Sequence, residues 1–121
     1  NGWYRRGGEK ARFDQQPLDA AALVDACYQA YIATGEPRWQ IAMDWSFNWF
    51  FGNNDIRQPL FDFSSGGCCD GLQPGGVNLN QGGESTVSLL LALHQMHLTS
   101  HQGYAGIDEV AGTALPPREK I

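Results

Sequence analysis

The stretch PLDAAALVDACYQAYIATGEPRWQIAMDWSFNWFFG at positions 17–52 decides the fold. It begins with a proline, is interrupted at Gly35, and resumes at a second proline, Pro37. Proline suits the first position of a helix and glycine the position just after one, so the stretch predicts helices at about 17–34 and 37–52. A connection this short joins antiparallel neighbours, and the pair is therefore an α/α hairpin.

A third helix is predicted at about 84–98. Its apolar residues, which include Leu89, Leu90, Leu91 and Leu93, occur on nearly every side of the helix, a pattern typical of a buried helix. We therefore expect Leu90 and Leu93 to be buried. The many aromatic residues of the second helix are expected in the core or in an interface.

The remaining segments are predicted to be irregular. Residues 1–16 form an entry loop, and residues 99–121 form a loosely ordered tail without helical periodicity. The long connection over 53–83 is rich in glycine, yet its aromatic residues favour an ordered loop, and loops of this length are usually functional. The fold class is thus all-α, with a three-helix region at 17–98 and one long ordered loop.

The charge balance excludes some partners. With eight Lys and Arg against 13 Asp and Glu, the net charge of −5 opposes a nucleic-acid partner. No apolar run reaches the roughly 20 residues of a membrane span, and residues 1–10 lack the apolar centre of a signal peptide. We expect no membrane partner and a cytoplasmic setting.

The cysteines also favour a cytoplasmic setting. Of the three, Cys68 and Cys69 are adjacent and would form only a strained bridge, so we expect reduced thiols. Their spacing does not suit a zinc site, and a helical spacing of His94, His97 and His101 lacks a suitable carboxylate. No metal and no cofactor are predicted.

Polar side chains converge at one end of the predicted helices. The first and third helices run the same way, and the long loop arrives where both begin. The candidate binding residues at this mouth are Arg6, Asp14, Gln15, Gln16, Asp70, Asn78, Asn80, Gln81 and Glu84. For Arg6 a solvated or carboxylate-paired role is the alternative.

Three stretches resemble a known family: GGEKARFDQQP at 7–17, TGEPRW at 34–39 and NLNQGGEST at 78–86. They look like the C-terminal helical region of some bacterial glycosyltransferases, which is similar to the (α/α) toroids of glycoside hydrolases and sugar epimerases. The resemblance covers about residues 2–98. It implies that the chain is a partial toroid-like fragment and that a saccharide lies at the mouth.

Two of the carboxylates have structural alternatives. Asp14 can cap the first helix, and Glu84 can interact with the dipole of the third. A helix N-terminus favours the ionised form, whereas a general acid needs a raised pKa. If these carboxylates touch a sugar, they therefore accept hydrogen bonds from its hydroxyls, and no catalytic residue is assigned.

Two functions remain open. The first is a carbohydrate-active accessory region of a glycosyltransferase or glycosidase-like protein, with its own enzymatic activity undecided. The second is a non-catalytic structural or oligomerisation module. Because three helices cannot cover so much apolar surface, we also expect a homo-oligomer, most simply a dimer that buries more than about 1,200 Å², or contact with an upstream catalytic domain.

Overall fold

The computed structural model describes residues 5–111, which form three helices and one small sheet. In chain order the elements are α1 (Pro17–Thr34), α2 (Pro37–Asn48), a 3-10 turn (Trp49–Phe51), β1 (Gly71–Gln73), β2 (Gly76–Asn78) and α3 (Gly83–Ala111). The mostly helical architecture is confirmed. The expectation of a purely all-α fold is wrong because the long connection contains an antiparallel β-hairpin.

The turn between α1 and α2 is as short as its sequence indicates. Gly35 has a left-handed φ of 68°, and its N–H donates to the carbonyl of Tyr31 at 2.7 Å. A residue with a Cβ adopts this conformation at a cost, which is the physical reason for glycine here. Pro37 then starts α2, which ends in the 3-10 turn before Gly52 rather than continuing as α-helix.

Helix α3 is longer than its periodicity predicts. It runs from Gly83 to Ala111, so the first part of the predicted tail is helical backbone. Residues 112–121 of that tail lie outside the described residues. Within residues 5–111, no helix is both long enough and apolar enough to cross a membrane.

The long connection is ordered by backbone hydrogen bonds. The N–H of Leu60 donates to Phe50 at 2.8 Å, and the N–H of Cys69 donates to Leu60 at 2.9 Å. The hairpin follows, with Leu72 opposite Val77. Its strands have three residues each, too few to show the period-two alternation by which strands are predicted.

Helix α1 is the centre of the fold and packs against both α2 and α3, which contact each other less. The Trp49 indole bonds Gln15, next to the start of α1, so the end of α2 lies beside that start and the two helices are antiparallel. The connection contributes Leu60 and Leu72 to the core. The other fully or nearly fully buried apolar side chains of the core are Ala20, Val24, Met43, Phe50, Cys68, Cys69, Leu89 and Ala92.

The expected burial of Leu90 and Leu93 is wrong. They are 53% and 50% exposed, whereas Leu89 is 2% exposed. The face of α3 that meets the core carries Leu89 together with the small residues Ser85, Ser88 and Ala92. Only this face is covered within the described chain, so the leucines on the remaining sides meet solvent.

Adjacent leucines of α3 should therefore differ in their effect on stability. Leu89→Ala removes a buried side chain and should lower the free energy of unfolding by about 2 to 5 kcal/mol. Leu90→Ala should cost less than about 1 kcal/mol because half of the side chain is already exposed. Urea unfolding of both variants measures the difference. Equal losses would contradict the orientation of α3.

Candidate functional site

The entry segment joins the β-hairpin at the start of α1. Gln15 and Leu72 exchange two backbone hydrogen bonds, of 3.1 and 2.8 Å. A Cβ at Gly71 would lie 2.8 Å from the carbonyl oxygen of Gln15, so this approach requires glycine. The pairing places the residues just before α1 against the loop that leads into α3.

Asp70 holds the start of α3. Its Oδ1 accepts from the Gly82 N–H and from the Ser85 hydroxyl, each at 2.7 Å, and its Oδ2 accepts from the Asn80 side chain at 2.9 Å. These donors, the Gly82 amide foremost, hold the pKa of Asp70 below its usual range. Asp70, Asn80, Gly82 and Ser85 are called the capping cluster below.

Asn78 and Gln81 also make hydrogen bonds within the long connection. The Asn78 side-chain oxygen accepts from the N–H of Asn80 at 3.1 Å. Gln81 donates to Asp62 at 2.9 Å and accepts from the Ser65 hydroxyl at 2.9 Å. Hydrogen bonds hold the pKa of Asp62 below its usual range. The largest effect comes from Ser64, and smaller effects come from Gln81 and Ser65. Nothing in the sequence pattern singled out Asp62.

The predicted mouth is thus only partly a shared site. The capping cluster and its neighbours contain Asp70, Asn78, Asn80 and Gln81, whose side chains mostly bond one another. Glu84 is exposed in the first turn of α3. Arg6 and Asp14 are exposed and make no side-chain hydrogen bond within the described residues.

Asp14 is not the cap of α1. Gln16 occupies the N-cap position, and its N–H donates to the carboxylate of Asp19 at 3.4 Å. The helix therefore begins two residues later than a cap at Asp14 would require. The side chains of Gln15 and Gln16 instead line a cleft that the sequence did not reveal.

This cleft lies between α1, α2 and the segments around residues 10–16 and 53–55, and its volume is about 620 Å³. Leu23 and the indoles of Trp45 and Trp49 form its apolar lining. Polar lining comes from the entry segment, from Asp19 and Ser46 on the two helices, and from Asn53 and Asp55. Its lining lies where α1 begins and α2 ends, and Gln15, which belongs to that lining, also pairs with Leu72 of the hairpin.

Gln15 fixes one wall of the cleft. Its side-chain oxygen accepts from the Trp49 indole N–H at 2.9 Å. Its side-chain nitrogen donates to the carbonyl of Arg12 at 2.8 Å and to Oδ2 of Asp55 at 3.2 Å. Both the oxygen and the nitrogen of the amide are thus hydrogen-bonded, and these bonds fix the orientations of Trp49 and Asp55 without a ligand.

Trp45 is the exposed aromatic of the cleft. Its side chain is 73% exposed, while Trp49 is half-buried. The sequence placed all aromatic residues of this helix in the core or an interface. The number of aromatic residues was the feature of the sequence that could have indicated an exposed ring, since one face of a helix cannot bury so many rings.

The three cysteines are free thiols. Burial, and after it the nearby charges of Cys69 and Asp70, raise the pKa of the Cys68 thiol to about 12. The thiol therefore stays protonated near neutral pH. In the described part of the chain, no group of three or more His, Cys, Asp or Glu side chains is arranged to hold a metal ion.

Comparisons of the chain with protein-family models, with curated proteins and with solved structures find no match. The likeness to a glycosyltransferase region therefore remains an expectation from the sequence. The cleft and the capping cluster are the two structural features from which a function can be inferred.

The lowered pKa of Asp70 makes folding depend on pH. An unfolded aspartate titrates near about pH 4, and the folded group titrates lower, so its stabilisation is complete above that pH and is lost as the pH falls. Asp70→Asn should lower the thermal midpoint at neutral pH and reduce its further decline in acid. Circular dichroism melts measure both effects.

The control is Asp44→Asn, which removes the same charge from an exposed position on α2. Asp62 contributes a similar pH dependence, so Asp70→Asn keeps part of it. Identical midpoints and acid slopes for the two variants would contradict the role of Asp70.

Proposed function

We propose that this chain is a carbohydrate-active accessory region and that it binds a saccharide in the cleft beside the start of α1. The observation that carries the proposal is the exposed indole of Trp45 in a cleft that also holds oriented polar groups. A large apolar ring that remains in solvent without a structural need is typical of a binding surface. The face of a sugar ring is apolar, and its hydroxyls need polar partners at the edge.

The cleft is a better candidate than the capping cluster. The carboxylate of Asp70 already accepts three hydrogen bonds, and removing it would leave the Asn80, Gly82 and Ser85 donors around the start of α3 without this partner. In the cleft, Asp19 and Asp55 are exposed and lie beside apolar surface. The proposed saccharide site thus keeps Gln15 and Gln16 of the predicted mouth and adds the two indoles.

The resemblance supplies the proposed context. A glycosyltransferase or glycosidase-like protein would carry this region as one part of a toroid, and the remaining helices would come from an upstream domain or from other copies. A binding role is proposed without a catalytic residue. Asp62 and Asp70 have lowered pKa values, which is the opposite of what a general acid near neutral pH requires.

Trp45→Ala tests the cleft. Titration of the protein with neutral mono- and oligosaccharides at millimolar concentration should shift the amide resonances around Gln15 and Trp49. Trp45→Ala should weaken binding about tenfold or more, since a stacked tryptophan is a typical binding hot spot. The melting temperature should change little because the side chain is 73% exposed.

Ile41→Ala is the matched control. Ile41 precedes Trp45 by one helical turn, is 59% exposed and does not line the cleft. Unchanged resonances at millimolar sugar, or equal losses in both variants, would rule out a saccharide site at Trp45.

The exposed leucines of α3 favour a second candidate, an oligomerisation module. Val87, Leu90 and Leu91 form an outer α3 face opposite the buried face, and each side chain is more than half exposed. Burial of this face against a second copy would remove apolar area that a monomer leaves in water. The two functions are compatible because the cleft lies between α1 and α2.

This second candidate predicts a dimer in sedimentation velocity at micromolar concentration. Leu91→Glu should convert it to a monomer, since a carboxylate in an apolar interface loses its hydration. Ile32→Glu, which places the same charge on exposed α1 surface, should leave the dimer intact. A wild-type monomer throughout the micromolar range would exclude the module.

A further inference from the structure

The ionisable groups that line the cleft balance in number. Lys10 and Arg12 supply two positive charges, and Asp19 and Asp55 supply two negative charges. The chain as a whole carries a net charge of −5. An anionic ligand thus gains no net attraction from the lining and meets repulsion from the rest of the chain.

Arg12, the cation nearest to Asp55, is already paired. Its guanidinium lies 3.5 Å from Oδ2 of Asp55, the same oxygen that accepts from Gln15. A ligand carboxylate that paired with Arg12 would therefore lie close to the carboxylate of Asp55. The two anions would share one guanidinium, and their mutual repulsion would offset part of the attraction.

The other oxygen of Asp55 is available. Oδ1 makes no hydrogen bond within the described residues, and both contacts of the carboxylate involve Oδ2. An ionised carboxylate oxygen accepts a hydrogen bond from a hydroxyl and repels another carboxylate. The geometry of Asp55 therefore suits a hydroxyl-rich, uncharged ligand.

On the basis of the saccharide binding proposed above, we infer that the cleft selects neutral sugars over acidic ones. The sugar ring stacks on Trp45, and a ring hydroxyl donates to Oδ1 of Asp55. Gln15 is a positioning residue, because its amide nitrogen donates to Arg12 and Asp55 and its oxygen accepts from Trp49, which orients Asp55 and Trp49. Uronic acids and sialylated sugars, which carry a carboxylate, are disfavoured.

The test uses matched pairs of probes that differ in a carboxylate: methyl β-glucoside with methyl β-glucuronide, and lactose with sialyllactose. Calorimetric titration of the full chain at low salt should show that at least one neutral probe binds, about tenfold more tightly than its acidic partner. Added salt should bring the ratio of the neutral to the acidic probe's affinity closer to one, because charge repulsion is screened.

Asp55→Asn should reduce this ratio towards one, because the amide has nearly the same shape and no charge. Asp44→Asn is the control, since it changes the net charge equally but lies in the groove between α2 and α3. If both variants change the ratio equally, the net charge and not Asp55 is responsible, and the inference is wrong.

The wild-type ratios are decisive without any variant. Equal or tighter binding of the acidic probes overturns the selectivity and leaves the proposed saccharide function standing. Absence of binding by all four probes, and by a wider panel of neutral and acidic oligosaccharides, overturns the proposed function and the inference with it.

Discussion

Gln15 is the residue through which the separate parts of this fold are connected. Its backbone pairs with Leu72 of the hairpin, and its side chain bonds Trp49 at the end of α2 and Asp55 in the long connection. Each such bond contributes only about 0.5 to 1.5 kcal/mol. Together they set where α1 starts relative to α2 and the hairpin, and this placement creates the cleft.

The packing of α1 against α3 explains which surfaces remain apolar. Ser88, Leu89 and Ala92 are buried on the side of α3 that meets the core. Because successive residues of a helix lie about 100° apart, Leu90 and Leu91 lie on other sides and stay exposed. An apolar outer face of α3 is the consequence, and it is the physical basis for expecting a partner there.

Aspartates of the same intrinsic chemistry have different roles here. Asp70 is surrounded by donors and acts within the fold, where its ionised form is stabilised. Asp55 bonds through a single oxygen and lies in a cleft beside exposed aromatic surface. Hydrogen-bond partners, which come from distant parts of the chain, distinguish a structural carboxylate from a candidate binding group.

The sequence by itself determined where the three helices start and the turn at Gly35, because proline, glycine and helical periodicity act over a few residues. The order of the three helices also indicated that the long connection over 53–83 lies near the starts of α1 and α3. Only the tertiary structure decided that Leu89 is buried and Leu90 exposed, that Trp45 lines a cleft, and that Asp70 bonds residues at the start of α3. These outcomes depend on contacts between distant residues, which periodicity does not encode.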